Sequence, residues 1–215
     1  MNEGSETVPL RLNALLTEAG LDPLDAVLST RFNAYLALIL HWNVRVNLTA
    51  IRDEDGILSR HFVESIACAR ALPAGIATLL DFGSGAGFPG IPIALCRPEI
   101  AVTLAESQGK KAAFLHEAIR TLKIAAIVHS GRAEALCSAF DCVTLRAVDK
   151  MLQAVRAAAQ LVRPGGWLVL MTTSAELAGL QQAAGAAYLW RKEVLMPGSS
   201  DRVLALGERK ISLPA

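Results

Sequence analysis

The sequence predicts an α/β protein: a helical N-terminal lobe followed by a mostly parallel sheet that ends in an antiparallel hairpin. Three observations carry this. Residues 8 to 72 keep a helical apolar period. From Thr78 the pattern changes to short continuous apolar runs separated by helical stretches, as in parallel strands covered on both faces. Near the end, "AYLWRKEVL" and "DRVLALGER" flank "MPGSSD" and read as two antiparallel strands joined by a turn. The expected division is 1–75 for the helical lobe and 76–215 for the sheet domain.

The lobe opens with Leu12, Leu15, Leu16 and Ala19 on one helical face, closed by Gly20. Asp22-Pro23 reads as an N-cap with a first-turn proline, starting a helix whose apolar face runs through Leu36, Ile39 and Leu40 to Trp42. After the break "NVRVNLTAIRDEDG", a further helix carries Ile57, Leu58, Phe62 and Ile66, and Pro73-Ala-Gly75 ends the lobe. The strand runs are "TLLDF", "AVTLAE", "IAAIVHS", "FDCVTLR" and "GWLVLMTT". Of the helices between them, Gly109 to Leu122 and Lys150 to Leu161 are the clearest.

Bulk properties narrow the function. With 215 residues, 53% apolar and 19% charged, the chain can bury a large core and has no disordered character. The longest apolar stretches, such as Ala34 to Leu40, are too short to span a bilayer. "MNEGSETVPL" lacks a basic region followed by an apolar block, so no secretion signal and a cytoplasmic location are expected. Cys68, Cys96, Cys137 and Cys142 form no C-x-x-C pair and are expected to be buried free thiols. His41, His116 and His129 lack metal-ligand spacing, and no metal is expected. The net charge of +1 announces no nucleic-acid partner.

Chemistry concentrates in "LLDFGSGAGFPGIPIAL", where Gly83, Gly85, Gly87 and Gly90 follow the first strand. Ligands of open α/β sheets bind at such a strand-to-helix turn. A P-loop is excluded, because no Gly-Lys-Ser/Thr follows. Gly85-x-Gly87-x-x-Gly90 satisfies the dinucleotide fingerprint, and Glu106 lies 19 residues after Gly87, near where a ribose-binding acid belongs. Register argues against a dinucleotide. The strand-closing glycine is Gly83, which places Phe88 where the third, helix-packing glycine should stand. Asp81 just before the turn would oppose a pyrophosphate but favour an ammonium. An aminoacyl sulfonium has that ammonium and no pyrophosphate. Asp81, Ser84 and Gly85 therefore read as part of an S-adenosyl-L-methionine loop; the bland alternative is a tight turn with no ligand. Glu106 can accept both ribose hydroxyls. "GRAEAL" after the third strand offers Ala133 and Glu134 to bracket an adenine, and "LVRPGGWLVL" reads as a helix exit, a Pro-Gly-Gly turn and a strand, similar to those of class I methyltransferases.

With "WNVRVNLTAIRD", "RHFVESI", "DFGSGAGFPGIPIAL", "ESQGKKAAFL", "GRAE" and "LRAV", the chain resembles the RsmG (GidB) family over roughly residues 30 to 210. These are the guanine-N7 methyltransferases of bacterial 16S ribosomal RNA. The resemblance implies the Rossmann-like class I methyltransferase fold and methyl transfer from S-adenosyl-L-methionine to N7 of the guanosine conventionally numbered 527. It also implies cofactor contacts at Gly83, Phe88, Ala133, Glu134 and Arg146. Two positions depart from the family pattern: Glu64 stands where Asp is expected, and Thr172-Thr173 where Lys-Gly is frequent.

The chemistry needs no base, since guanine N7 carries a free lone pair; rate would come from alignment and water exclusion. Arg146, leaving the fourth strand, is the candidate nearest both cofactor and guanine, with a surface salt bridge as the bland reading. Asn47 either holds a base edge or satisfies loop backbone. His61 and Glu64, with Arg60 expected to pair Glu64 at i, i+4, form a polar stripe facing the cleft or an interlobe network. Lys110, Lys111, Arg120 and Lys123 on one helix read equally as a solvated face or an RNA contact. An RNA methyltransferase leads over a small-molecule methyltransferase and a non-catalytic adenine-cofactor binder. Its expected partner is folded 16S rRNA carrying ribosomal proteins, met by a monomer without membrane contact.

Overall fold

A computed structural model describes residues 4–211. Residues 1–3 and 212–215, and with them the outer limits of the expected segments and the start of the leader reading, lie outside the described residues. The lobe contains α1 (Gly4–Glu18), α2 (Ala26–Asn43), α3 (Glu54–Gly56) and α4 (Glu64–Ala71), with a π-helical stretch Ile57–Val63 joining the last two. Gly20 takes the left-handed conformation after α1, as its position suggests. The cap of α2 is Asp25 and not Asp22: its carboxylate accepts the Leu28 N–H at 2.7 Å. The reason is Asn13, whose amide bonds both the N–H and the C=O of Leu24 and holds that segment to α1 instead of releasing it into a helix.

Eight strands form one sheet in the order β3-β2-β1-β4-β5-β8-β6, with β7 also on β8. They are β1 (Thr78–Phe82), β2 (Ala101–Ala105), β3 (Ala126–His129), β4 (Phe140–Arg146), β5 (Val162–Thr173), β6 (Tyr188–Trp190), β7 (Val194–Leu195) and β8 (Arg202–Arg209). The first five are parallel; β8 runs antiparallel to β5 and to β6 and β7. The run "AYLWRKEVL" is therefore two strands, not one. Between them Arg191 turns its guanidinium over the Trp167 ring, 4.2 Å from the centroid, while its N–H bonds Leu206 O.

Helices α5 (Gly90–Cys96) and α6 (Gly109–Leu122) share one apolar cluster with the N-terminal lobe, running from Leu12 and Phe32 through Leu79 and Leu104 to Leu206. Helices α7 (Met151–Leu161) and α8 (Ser174–Ala184) cover the opposite face with Leu80, Val143 and Leu168. The lobe thus shares one core with the sheet. Strand order reverses between β1 and β4, and the crevice beyond their carboxyl ends is where open α/β sheets bind ligands. Cys68 and Cys142 are buried and Cys96 is half-buried, but Cys137 is exposed in the loop after β3, against expectation.

Two loop glycines serve packing. A Cβ on Gly87 would stand 2.5 Å from Ile91 and 2.8 Å from the Tyr35 hydroxyl; one on Gly90 would stand 2.7 Å from Asp81 Oδ2. Gly90→Ala is expected to destabilise the fold by about 1–3 kcal/mol through overpacking. Urea unfolding measures it, and a midpoint equal to wild type would show that the interior yields.

Candidate active site

The glycine loop is built on hydrogen bonds to its own strand neighbours. Gly83 N–H and Ser84 N–H both donate to Ala105 O, and the Ser84 hydroxyl donates to Asp81 O. Asp81 lies in the interior, 1% exposed, with Oδ2 accepting Gly90 N–H at 3.1 Å and Oδ1 accepting the Thr144 hydroxyl at 2.9 Å. It lines neither chamber described below. Its carboxylate ties loop, helix and β4 together rather than facing a ligand ammonium. Burial, opposed by these hydrogen bonds, pushes its pKa up to about 6. Glu106 braces the other side: Oε2 accepts Gly85 N–H at 2.9 Å and Oε1 accepts Gln108 N–H at 2.7 Å.

Beyond the strand tips lie two chambers that meet at Gly83, Glu106, Ser107, Val148 and Asp149. The smaller, about 250 Å³, is formed by Ala105, Ala133, Glu134 and Gln153, among others. Ala133 is buried in a 3-10 turn, and Glu134 is exposed beside it. The larger, about 830 Å³, takes in Ser84, Gly85, Phe88 and Arg146, and Leu48–Ile51, Arg60, His61 and Glu64 of the lobe. Gly85, at φ +58°, would point a Cβ into open space. That Cβ would meet only Gly83 O, at 3.9 Å, so the left-handed backbone and not packing calls for glycine here, and the cleft beside it stays clear.

Arg146 is not on the surface. Its guanidinium donates to Glu64 Oε2 at 2.9 Å, to Arg60 O at 2.6 Å and to Ser65 Oγ at 3.3 Å. Glu64, 2% exposed, gives its other oxygen to Arg202 Nε at 2.6 Å. The expected Arg60–Glu64 pair is absent. Residues 57–63 are π-helical, so the i, i+4 stacking of an α-helix does not apply, and Glu64 is spent on two strand-borne arginines. The stripe is both an interlobe network and a cleft wall. Arg202, Tyr35 (hydroxyl to Ala86 O, 2.5 Å), Met171 and Met196 are site elements that periodicity could not single out.

Asn47 is exposed, pairs with Arg52 at 3.0 Å and lines neither chamber. The loop-holding amide is Asn43: Nδ2 donates to Thr49 O and Ile51 O, and Oδ1 accepts from Leu48 and Thr49. Those bonds place Thr49, whose hydroxyl meets His61 Nε2 at 2.7 Å. The His61 ring stacks on Phe88 at 4.6 Å, and its Nδ1 is buried without a partner among the described residues. The basic residues of α6 divide. Lys111 reaches the larger chamber from the first turn, whereas Arg120 and Lys123 lie at the other end of the helix, Lys123 as its left-handed C-cap. Among the described residues no cluster of His, Cys, Asp and Glu could hold a metal, and no helix is long and apolar enough to cross a membrane.

Residues 29–202, which include all of this cleft's lining but Val203, match the family model of rRNA small subunit methyltransferase G. The chain belongs to that family. Curated relatives bearing this name are 44% identical in Xanthomonas euvesicatoria and 46% identical in Stenotrophomonas maltophilia, each over 69% of this chain and 70% of the relative. Among solved structures, a methyltransferase from Pyrococcus furiosus covers 85% of this chain and all of its own, with TM-score 0.60 and 13% identity. TYW2 of M. jannaschii in complex with AdoMet covers 70% of this chain and 76% of its own, with TM-score 0.56 and 16% identity. The fold is that of class I methyltransferases.

Burial, then Arg146 and Arg60, push the His61 pKa from 6.5 down to about 3. Between those values the unfolded chain holds a proton that the folded chain lacks, so this residue lowers stability as pH falls through that window. Asp81 acts oppositely, because its raised pKa makes the folded state bind the extra proton between 3.8 and about 6. His61→Gln should therefore flatten the acid-side loss of stability between pH 6.5 and 4 in denaturant titrations. An unchanged slope would show that the ring titrates normally.

Proposed function

We propose that this chain transfers a methyl group from S-adenosyl-L-methionine to N7 of the guanosine numbered 527 in bacterial 16S ribosomal RNA, acting as a cytoplasmic monomer on a folded, protein-bearing substrate. What carries the reading is the pairing of a small chamber behind Glu106 with a larger one roofed by the N-terminal lobe, in a chain of this family. The residues fit the cofactor: a loop open at Gly85, an acceptor-only carboxylate at Glu106 with lone pairs left for two hydroxyls, and the Ala133–Glu134 turn beside it. When bound, the cofactor supplies an electrophilic methyl on a sulfonium.

The chain's own groups then position and shield. N7 attack requires no proton removal; Glu64 is committed to two arginines, and Glu106, braced by two loop amides, keeps its remaining lone pairs for the cofactor. Arg146, fixed by three acceptors, presents a rigid cation at the sheet edge rather than a mobile one. A His61 ring without charge adds an apolar-faced wall with Phe88. Water exclusion and alignment remain as sources of rate.

The deciding experiment is mass mapping of 16S rRNA from cells with and without the gene; an unchanged guanosine would overturn the reading. Glu106→Ala is expected to weaken S-adenosyl-L-methionine binding by about 1–3 kcal/mol, and Gly85→Val to abolish it with the fold retained. Calorimetric affinities like the wild type's would remove both from the site. With a net charge of +1, affinity for an unstructured RNA should be weak, with a log–log salt slope of about −2 to −4. Lys110→Glu/Lys111→Glu should slow RNA methylation at unchanged cofactor affinity. Full activity on a short unstructured oligonucleotide would contradict this account.

A further inference from the structure

The carboxylates around the larger chamber differ in what they have left to give. Glu64 is shared by Arg146 and Arg202, and Glu106 by the amides of Gly85 and Gln108. Asp149 sits where the chambers join and accepts Lys150 N–H at 3.0 Å. Glu176 differs from Glu64 and Glu106, and it differs from Asp149, which also has no cationic partner among the described residues, in having its carboxylate fixed by side chains. It is exposed in the first turn of α8, borders the chamber beside Met171, Thr172 and Thr173, and has no cationic partner among the described residues. Its Oε2 accepts the hydroxyls of Thr172 at 2.9 Å and Thr173 at 3.1 Å. No group among the described residues donates to Oε1. Thr173-x-x-Glu176 has capping-box spacing, yet the Thr173 hydroxyl caps no helix N–H. Both hydroxyls are spent on aiming the carboxylate.

We propose that Glu176 reads the Watson–Crick edge of the target guanine, an inference that rests on the guanine-N7 reading above. Guanine presents two parallel donors there, N1–H and the exocyclic N2 amine. An ionised carboxylate is acceptor-only, and while Thr172 and Thr173 occupy Oε2, both lone pairs of Oε1 are left to take the two adjacent donors. Adenine presents an acceptor at N1, which a carboxylate repels. N7 lies across the purine from that edge. A base held edge-on at Glu176 therefore leaves N7 directed away from this wall, into the chamber that Gly83–Ala86 and Arg146 also line. Buried Met171 and Met196 border the same chamber and offer apolar surface to the ring. A base read in this way has been extruded from its stack, as enzymes acting on ring atoms require.

The test uses unmodified 30S subunits carrying guanosine at the target position and a second preparation carrying adenosine there. Glu176→Gln preserves size and can still engage the threonines, but it turns one acceptor into a donor. We expect a loss in kcat/KM on the guanosine particle of about 5- to 150-fold, the range for losing one two-donor base contact. The preference for guanosine over adenosine should shrink, while calorimetric cofactor affinity and the melting temperature stay at wild-type values. Wild-type rate and selectivity in this variant would overturn the proposal while leaving the guanine reading intact. No transfer by the wild-type enzyme to either particle would overturn the guanine reading, and this proposal with it. If Glu176→Gln melts early, Thr172→Val/Thr173→Val carries the same test, since it keeps the carboxylate but removes its aim. Reduced selectivity is expected there, and unchanged selectivity overturns the proposal.

Discussion

A single buried carboxylate holds the working parts of this molecule in register. Glu64 projects from the N-terminal lobe and is shared by Arg146, at the end of β4, and Arg202, at the start of β8. Charges so far from water are costly unless each is paired, and a partner removed leaves the others stranded. The lobe, the parallel half of the sheet and the antiparallel half therefore cannot shift independently at this point. Arg202 also lies 3.9 Å from the exposed Asp201, so two acids face two arginines and the cluster carries no net charge. Because Glu64 is consumed in this way, it is not free to act as a base, in keeping with a nucleophile that needs none.

Around that anchor, the loop follows a division of labour among small residues. Gly87 and Gly90 leave room for the protein itself, for Ile91, Tyr35 and the Asp81 carboxylate. Gly85 instead borders the larger chamber, and a Cβ there would meet only Gly83 O at 3.9 Å. Asp81 and Glu106, both read from the sequence as ligand-facing acids, hold the loop from two sides by accepting its amides. Only Glu106 also borders the chambers. One carboxylate is thus a brace, and the other is brace and candidate contact together.

The electrostatics of the cleft follow from burial more than from net charge. His61, desolvated and close to two arginines, stays uncharged at neutral pH and stacks on Phe88 as an aromatic plate. Arg60 and Lys111 border the same chamber with no carboxylate partner among the described residues, which leaves them for a polyanion. The chamber's lining balances Arg60, Lys111, Arg146 and Arg202 against Glu64, Glu106, Asp149 and Glu176, so these are local cationic contacts and not a net positive mouth.

The sequence by itself determined the alternation of strand and helix, the place of the glycine loop, the family and most cleft-lining residues of the strand tips. These are local signals: apolar period, glycine spacing and motif order are set by neighbours along the chain. Even so, Asp25 replaced Asp22 as a cap because Asn13, eleven residues from Leu24, claims its backbone. Only the tertiary structure decided which acid meets which base. Arg146 and Glu64 are 82 residues apart and Arg202 and Glu64 are 138 apart. A charge pair of that separation leaves no periodic trace. It is fixed by which strand ends the sheet brings beside the lobe, and the physical reason is that a buried charge takes its partner from space and not from sequence.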